Sequence, residues 1–162
     1  LHGAARGAGR DGDVFDNEEF VCYKFRSMCV NKDSDNKQAT KNDMRITSVG
    51  KFLRKTSLDE FPQFINVFIG DMSIVGPRPH MIKHTNEYSV LIKKYMVRQL
   101  VKPGITGAAQ VRGFRGETKK LSDMEDRVRL DVWYIENWSI WLDINIIFQT
   151  IWNGLKGDEK AY

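Results

Sequence analysis

The chain has 162 residues, 41% of them apolar, with 25 Lys plus Arg against 21 Asp plus Glu and a net charge of +4. At this length one core buries about 70% of the unfolded surface without covalent staples, and the composition excludes a collagen, a disulfide scaffold or a wholly disordered chain. The mild basic excess admits an anionic partner, whether nucleotide, lipid headgroup or nucleic acid, without choosing among them.

Residues Leu1 to Asp13 carry four glycines among Ala, Arg and Asp and read as a flexible leader or a tag remnant, so fold reasoning starts after it. Phe20 to Met28 alternates side chains about its axis and predicts the first strand. It contains Cys22 and precedes Cys29, two cysteines with no zinc or redox spacing that read as reduced thiols of a cytosolic compartment. Asn31 to Asp43 is a solvated loop. A short helix follows Thr47, with Val49, Phe52 and Leu53 on its apolar stripe.

In SLDEFPQFINVFIGD, Phe61, Phe64, Ile65 and Phe68 repeat at helical spacing, and Gly70 is the natural stop. Ser57 and Glu60 have the form of a capping box, but that register puts Pro62 beyond the first turn. Asp59 as N-cap puts Pro62 in the first turn and is preferred. Gly76 to Pro79 must be extended or turning, since residues before proline avoid the α region. A helix is predicted between His80 and Val97, and a strand or hairpin with turns at both ends over Pro103 to Gly116. Ser122 with Glu125 opens a helix from about Asp123 to Glu136, and Ser139 caps a last helix to about Leu155. The uncharged run Ile144 to Leu155 is 12 residues, short of the roughly 20 a spanning helix needs.

Six features could carry chemistry. Asp59 and Glu60 at a helix start suit a nucleophile or a divalent-cation ligand, or simple capping. Arg78, fixed between two prolines, suits bidentate phosphate contact, or a rigid surface turn. The glycines of PGITGAAQVRG let a phosphate approach the backbone, or serve a turn-strand-turn. His80, His84 and Glu87 share a helical face, as zinc ligands or as polar surface. All four tryptophans fall in the last 30 residues, fitting a membrane–water interface or core packing. Lys51, Arg54, Lys55, Arg112, Arg115, Lys119 and Lys120 form no recognised nucleic-acid motif and read as solvated.

Together, YKFRSM (23–28), GKFLRKTSLDEFPQFINVFIGDMSIVGPRPH (50–80), KPGITGAAQVRGFRGET (102–118) and DVWYIENWSIWLDINII (131–147) resemble the bacterial sugar transferases, the monotopic phosphoglycosyl transferases, and among them the undecaprenyl-phosphate glucose phosphotransferases. The resemblance implies an α+β fold dominated by helices, with a small antiparallel sheet or hairpin, in a catalytic domain at a membrane interface. It implies a leader over 1–19, a catalytic domain over 20–162 and a membrane segment upstream of Leu1. The implied reaction moves a sugar-1-phosphate from a UDP-sugar to undecaprenyl phosphate and releases UMP, initiating exopolysaccharide assembly. Asp59 matches the family's nucleophile, which forms a phosphosugar-aspartate, and Glu60 matches its partner in the acidic pair. Mg²⁺ is expected on Asp59 and Glu60. Arg78, Lys24, Arg26 and Gln110 are expected to bind substrate phosphate. The implied location is the cytoplasmic face of the bacterial inner membrane, with no nucleic-acid partner. The alternative is a catalytically silent nucleotide- or lipid-binding module of the same fold.

Overall fold

A computed structural model describes residues 4–8, 17–29, 43–80, 82–114 and 120–156, with side chains omitted at 4–8, 17–18 and 82–84. Most of the expected loop at 31–43, together with Arg115, Lys119 and the end of the expected turn at Gly116, lies outside them. Helices dominate, as expected.

Strand β1 (Ala4–Ala8) pairs antiparallel with β2 (Asn17–Val21), so regular structure begins within the segment read as a leader. The strand expected over Phe20 to Met28 is only partly one. After Val21 the chain stays extended, but groups other than a neighbouring strand hold it. Tyr23 N–H and Val21 C=O bond the Asn66 side chain, Phe25 N–H donates to the Asp59 carbonyl at 2.9 Å, and Ser27 C=O accepts Thr47 N–H at 3.1 Å. Alternation therefore marked an extended conformation correctly and its partners wrongly. Only Met28 makes a bridge, to Ile46.

Helix α1 (Ser48–Thr56) starts where Thr47 Oγ1 accepts Gly50 N–H at 2.9 Å. Gly50 is required for packing, since a Cβ there would strike the Ser27 carbonyl. A 3-10 turn (Leu58–Glu60) then leads to α2 (Gln63–Ile69), with Pro62 as N-cap and Gly70 as the left-handed stop. Neither Ser57 nor Asp59 caps α2. The chain instead closes a 3-10 turn over Leu58–Glu60, so α2 begins after Pro62 and the acidic pair falls in the turn before it.

Strand β3 (Ser73–Val75) pairs with β4 (Gly104–Thr106) in parallel, Ser73 opposite Gly104 and Val75 opposite Thr106. The antiparallel pairing lies in β1 and β2, whereas this second pair is parallel, which corrects the expectation of a local hairpin after Pro103. The connection between its strands holds α3 (Ile82–Leu91) and a 3-10 segment (Tyr95–Leu100). The second half of the expected β stretch is the short helix α4 (Ala108–Val111). Last come α5 (Leu121–Glu136) and α6 (Ile140–Lys156). Helix α5 starts before Ser122, where the Asp123 carboxylate accepts Lys120 N–H at 3.2 Å. Ser139 caps α6 as expected, its Oγ accepting Leu142 N–H.

Helix α5 organises the core. Met124, Val128 and Val132 pack on Ile92 and Tyr95, while Tyr134 joins Val75, Ala108 and Ile146 of β3, α4 and α6. The apolar stripes of α1, α2 and α6 behave differently. Phe52, Phe68, Trp141, Phe148 and Leu155 are all exposed.

Candidate active site

The acidic pair sits where three segments meet. Ser57 ends α1 at φ 59°, a left-handed conformation uncommon for a residue with a Cβ. The chain thereby turns into Leu58–Glu60. Asp59 remains half-exposed, while Glu60 is buried at 6% exposure.

Burying a carboxylate requires compensation, and two cations supply it. Glu60 Oε1 accepts Lys24 Nζ at 3.1 Å and the Arg78 guanidinium at 2.5 Å. Burial works against the Arg78 charge, but the Glu60 carboxylate and its hydrogen bond outweigh it and raise the Arg78 pKa. The structure thus joins Asp59, Glu60, Lys24 and Arg78, which are spread over 55 positions of sequence. Arg26 is exposed and is not among the groups bonded to Glu60. Gln110 is buried in α4, donates Nε2 to the Ile105 carbonyl at 3.0 Å and has an Oε1 with no protein partner.

Glu60 and Gln110 both line a groove of about 400 Å³. Phe64 of α2, Ile105 of β4 and Ile147 and Ile151 of α6 make it largely apolar. Phe64 and Ile151 also belong to the exposed stripes, so the groove opens between two apolar helix faces. A charged centre beside an apolar channel suits a ligand with a phosphate at one end and hydrocarbon at the other.

Two candidate features take other roles. The glycines of PGITG bring β4 against Gly76. A Cβ on Gly104 would strike Gly76 N, and Gly76 N–H donates to Thr106 C=O at 2.8 Å. Close approach there serves the parallel pair, as the turn-strand reading expects. His80 lies ahead of α3 rather than on it, with Nδ1 2.8 Å from Tyr95 Oη. It therefore shares no helical face with His84, whose side chain is outside those described. Among the described residues no cluster of three His, Cys, Asp or Glu could hold a metal.

Of the tryptophans, Trp133 packs in the core beneath the Arg112 guanidinium, whereas Trp138, Trp141 and Trp152 are exposed. No helix among the described residues is long and apolar enough to cross a membrane.

Three important residues went unnoticed in the sequence: Asn66, Arg98 and Asp131. Only Asp131 carried a signal, a charged side chain on the same helical face as the apolar Met124 and Val128.

This helix-dominated fold, with one carboxylate of its acidic pair held by a lysine and an arginine, belongs to the bacterial sugar transferase family, whose sequence profile matches residues 9–157. A UDP-glucose:undecaprenyl-phosphate glucose-1-phosphate transferase of Klebsiella pneumoniae is 57% identical over 140 residues, covering 86% of this chain and 30% of that protein. A transferase of the same name from Xanthomonas campestris is 56% identical over 146 residues, covering 89% and 30%. A UDP-N-acetylgalactosamine-undecaprenyl-phosphate N-acetylgalactosaminephosphotransferase of Aeromonas hydrophila is 45% identical over 142 residues, covering 87% and 33%. The chain thus spans about a third of the length of these relatives.

Proposed function

We propose that the protein transfers a sugar-1-phosphate from a UDP-sugar to undecaprenyl phosphate at the cytoplasmic face of a bacterial inner membrane. The observation that carries this reading is the pairing of an accessible Asp59 with a buried Glu60 whose charge Lys24 and Arg78 already balance. One carboxylate is left accessible for chemistry while its neighbour anchors the cations that attract phosphate.

In the first step an Asp59 carboxylate oxygen attacks the phosphorus bearing the sugar. A P–O bond forms, the pyrophosphate P–O bond breaks, and UMP leaves with that electron pair. In the second step an oxygen of the lipid phosphate attacks the same phosphorus and Asp59 departs as carboxylate. Splitting one displacement into two is the advantage of a covalent nucleophile. Arg78 and Lys24 bind the phosphate oxygens, where charge accumulates. Glu60 keeps both cations aimed at the site.

Mg²⁺ fits in part. Asp59 offers a hard oxygen in an accessible position, and Mg²⁺ is commonly held by one or two carboxylates together with substrate phosphates and water. Glu60 fits less well as a direct ligand, because Oε1 already accepts two cations. When bound, the ion would neutralise phosphate charge.

The test uses the protein with vesicles containing undecaprenyl phosphate and UDP-glucose, the donor named for the 57% and 56% identical relatives. Sugar label entering the lipid fraction with equimolar UMP, lost in EDTA and restored by Mg²⁺, is the expected result. Tight UDP-sugar binding without turnover would instead define a silent binding module.

A further inference from the structure

Behind Arg78 lies a buried charge cluster that the proposed chemistry does not use. Arg98, in the 3-10 segment, and Asp131, on α5, are joined from Nε to Oδ2 at 2.7 Å, with side chains only 5% and 2% exposed. Each nitrogen of the Arg98 guanidinium has a partner. One terminal nitrogen lies 3.0 Å from His80 Nδ1, and the other donates to the Arg78 carbonyl at 3.0 Å. Arg127 is buried one turn before Asp131, and its pKa is pulled down to about 10 by burial and by the charges of Arg78 and Arg98.

Such a cluster is a weak source of stability. Desolvating two charges costs about as much as their attraction gains, and apolar replacements often match it. Its effect is better sought in geometry. Pro77 and Pro79 have no N–H, so Gly76–Pro79 can be pinned mainly through carbonyls. Gly104 N–H holds the Pro77 carbonyl at 2.9 Å, and Arg98 holds the next one, on Arg78 itself. The side chain of that same residue reaches Glu60.

We propose that Arg98, oriented by Asp131, is a positioning residue that fixes the Arg78 backbone and so aims the Arg78 guanidinium at the Glu60 side of the site. Asp131 sets the plane of the Arg98 fork, the fork grips the Arg78 carbonyl, and the two prolines pass that constraint to the side chain. Lysine cannot replace Arg98, because one ammonium cannot meet three planar acceptors in fixed directions. This inference rests on the phosphate-binding role of Arg78 proposed above.

A double-mutant cycle tests it. Arg98→Lys and Asp131→Asn are each made in the wild-type and in the Arg78→Ala background, and kcat/KM for UDP-glucose is measured with thermal melting. Outer partners of this kind typically contribute about 10- to 100-fold. Each variant should therefore lose about tenfold or more in the wild-type background and less than about twofold once Arg78 is gone. Equal losses in both backgrounds would show general loosening and overturn the positioning role alone. Wild-type activity in Arg78→Ala would remove the phosphate role itself, a distinguishable failure. Should Arg98→Lys not fold, the nearly isosteric Asp131→Asn carries the cycle. A second readout needs no turnover: the Arg78 Nε–H resonance in ¹⁵N-arginine-labelled protein, assigned by its loss in Arg78→Ala. It should shift or broaden in Asp131→Asn, and an unchanged resonance would overturn the proposal.

Discussion

The side-chain amide of Asn66 docks on the main chain at Tyr23. Its Oδ1 accepts Tyr23 N–H at 3.0 Å, and its Nδ2 donates to Val21 C=O at 2.7 Å. One fully buried side chain thus replaces the neighbouring strand that the extended segment lacks, and Lys24 leaves the next position toward Glu60. Asn66→Leu keeps the number of side-chain heavy atoms but strands both backbone groups. Buried groups without partners cost about 1–3 kcal/mol each, so urea unfolding should show a loss of about 2–6 kcal/mol in all. A loss under about 0.5 kcal/mol would mean that the segment holds itself.

Asp59→Asn separates chemistry from folding. Asp59 is half-exposed, and what anchors the turn is its backbone carbonyl, bonded to Phe25 N–H, which the substitution leaves in place. Melting should stay near wild type while transfer falls more than about a hundredfold, because an amide is a poor nucleophile. Mass spectrometry of wild type with UDP-glucose and no lipid should find a phosphosugar on Asp59. Normal turnover by Asp59→Asn would remove the nucleophile from this position.

Arg78→Lys retains the charge beside Glu60 and loses the planar fork. Hydrogen bonds to charged groups contribute about 1.5–3 kcal/mol, which corresponds to roughly 10- to 100-fold in rate. The loss should appear in kcat/KM for the nucleotide sugar. An unchanged value would leave Arg78 as a partner of Glu60 only.

Local punctuation was readable in the sequence wherever its cause was local. Thr47, Gly70 and Ser139 each act on residues within four positions, and all three mark helix ends as expected. The acidic pair was found, but its helix register was not: Leu58–Glu60 closes a 3-10 turn and α2 starts only at Gln63. What failed was anything settled across distance. Ile105 to Val111 divides between strand and helix because Ser73–Val75, some thirty residues earlier, supplies a partner only as far as Thr106. The apolar stripes were found and their burial was not, because periodicity defines a face without saying what covers it. The Arg98–Asp131 pair spans 33 positions and leaves no spacing signature.

Cys22 gives the protein a pH-dependent contribution with a definite sign. Burial raises its thiol pKa above the ordinary 9.0, against the pull of Lys24 and Arg78 and with a small push from Glu60. The folded state therefore keeps its proton where the unfolded state begins to lose it. The associated stability is complete below about pH 9 and is lost as pH rises beyond it. Between pH 8 and 10 the wild type should lose more unfolding free energy than Cys22→Ala, and parallel losses would contradict the assignment. At pH 8 iodoacetamide should label exposed Cys29 and spare Cys22 until denaturant is added.

The exposed stripes of α1, α2 and α6 make the last expectation, attachment to a lipid surface, testable. Phe68 is 93% exposed, Leu155 79% and Trp141 76%, and such side chains are unusual in a solvated face. Tryptophan at three exposed positions suits the interfacial zone, where the ring and its N–H both find partners. Interfacial helices bind in proportion to the apolar area they bury. One large side chain contributes about 1.5–3 kcal/mol when removed from water, so each charged replacement should weaken partitioning by about tenfold or more. Phe68→Glu and Trp152→Glu touch neither core cluster and should leave melting unchanged. In flotation with anionic vesicles the wild type should rise with the lipid, each variant should rise less, and the double variant should stay with the aqueous fraction. Equal flotation of all four proteins would show that these faces do not meet the membrane and that another surface docks the domain.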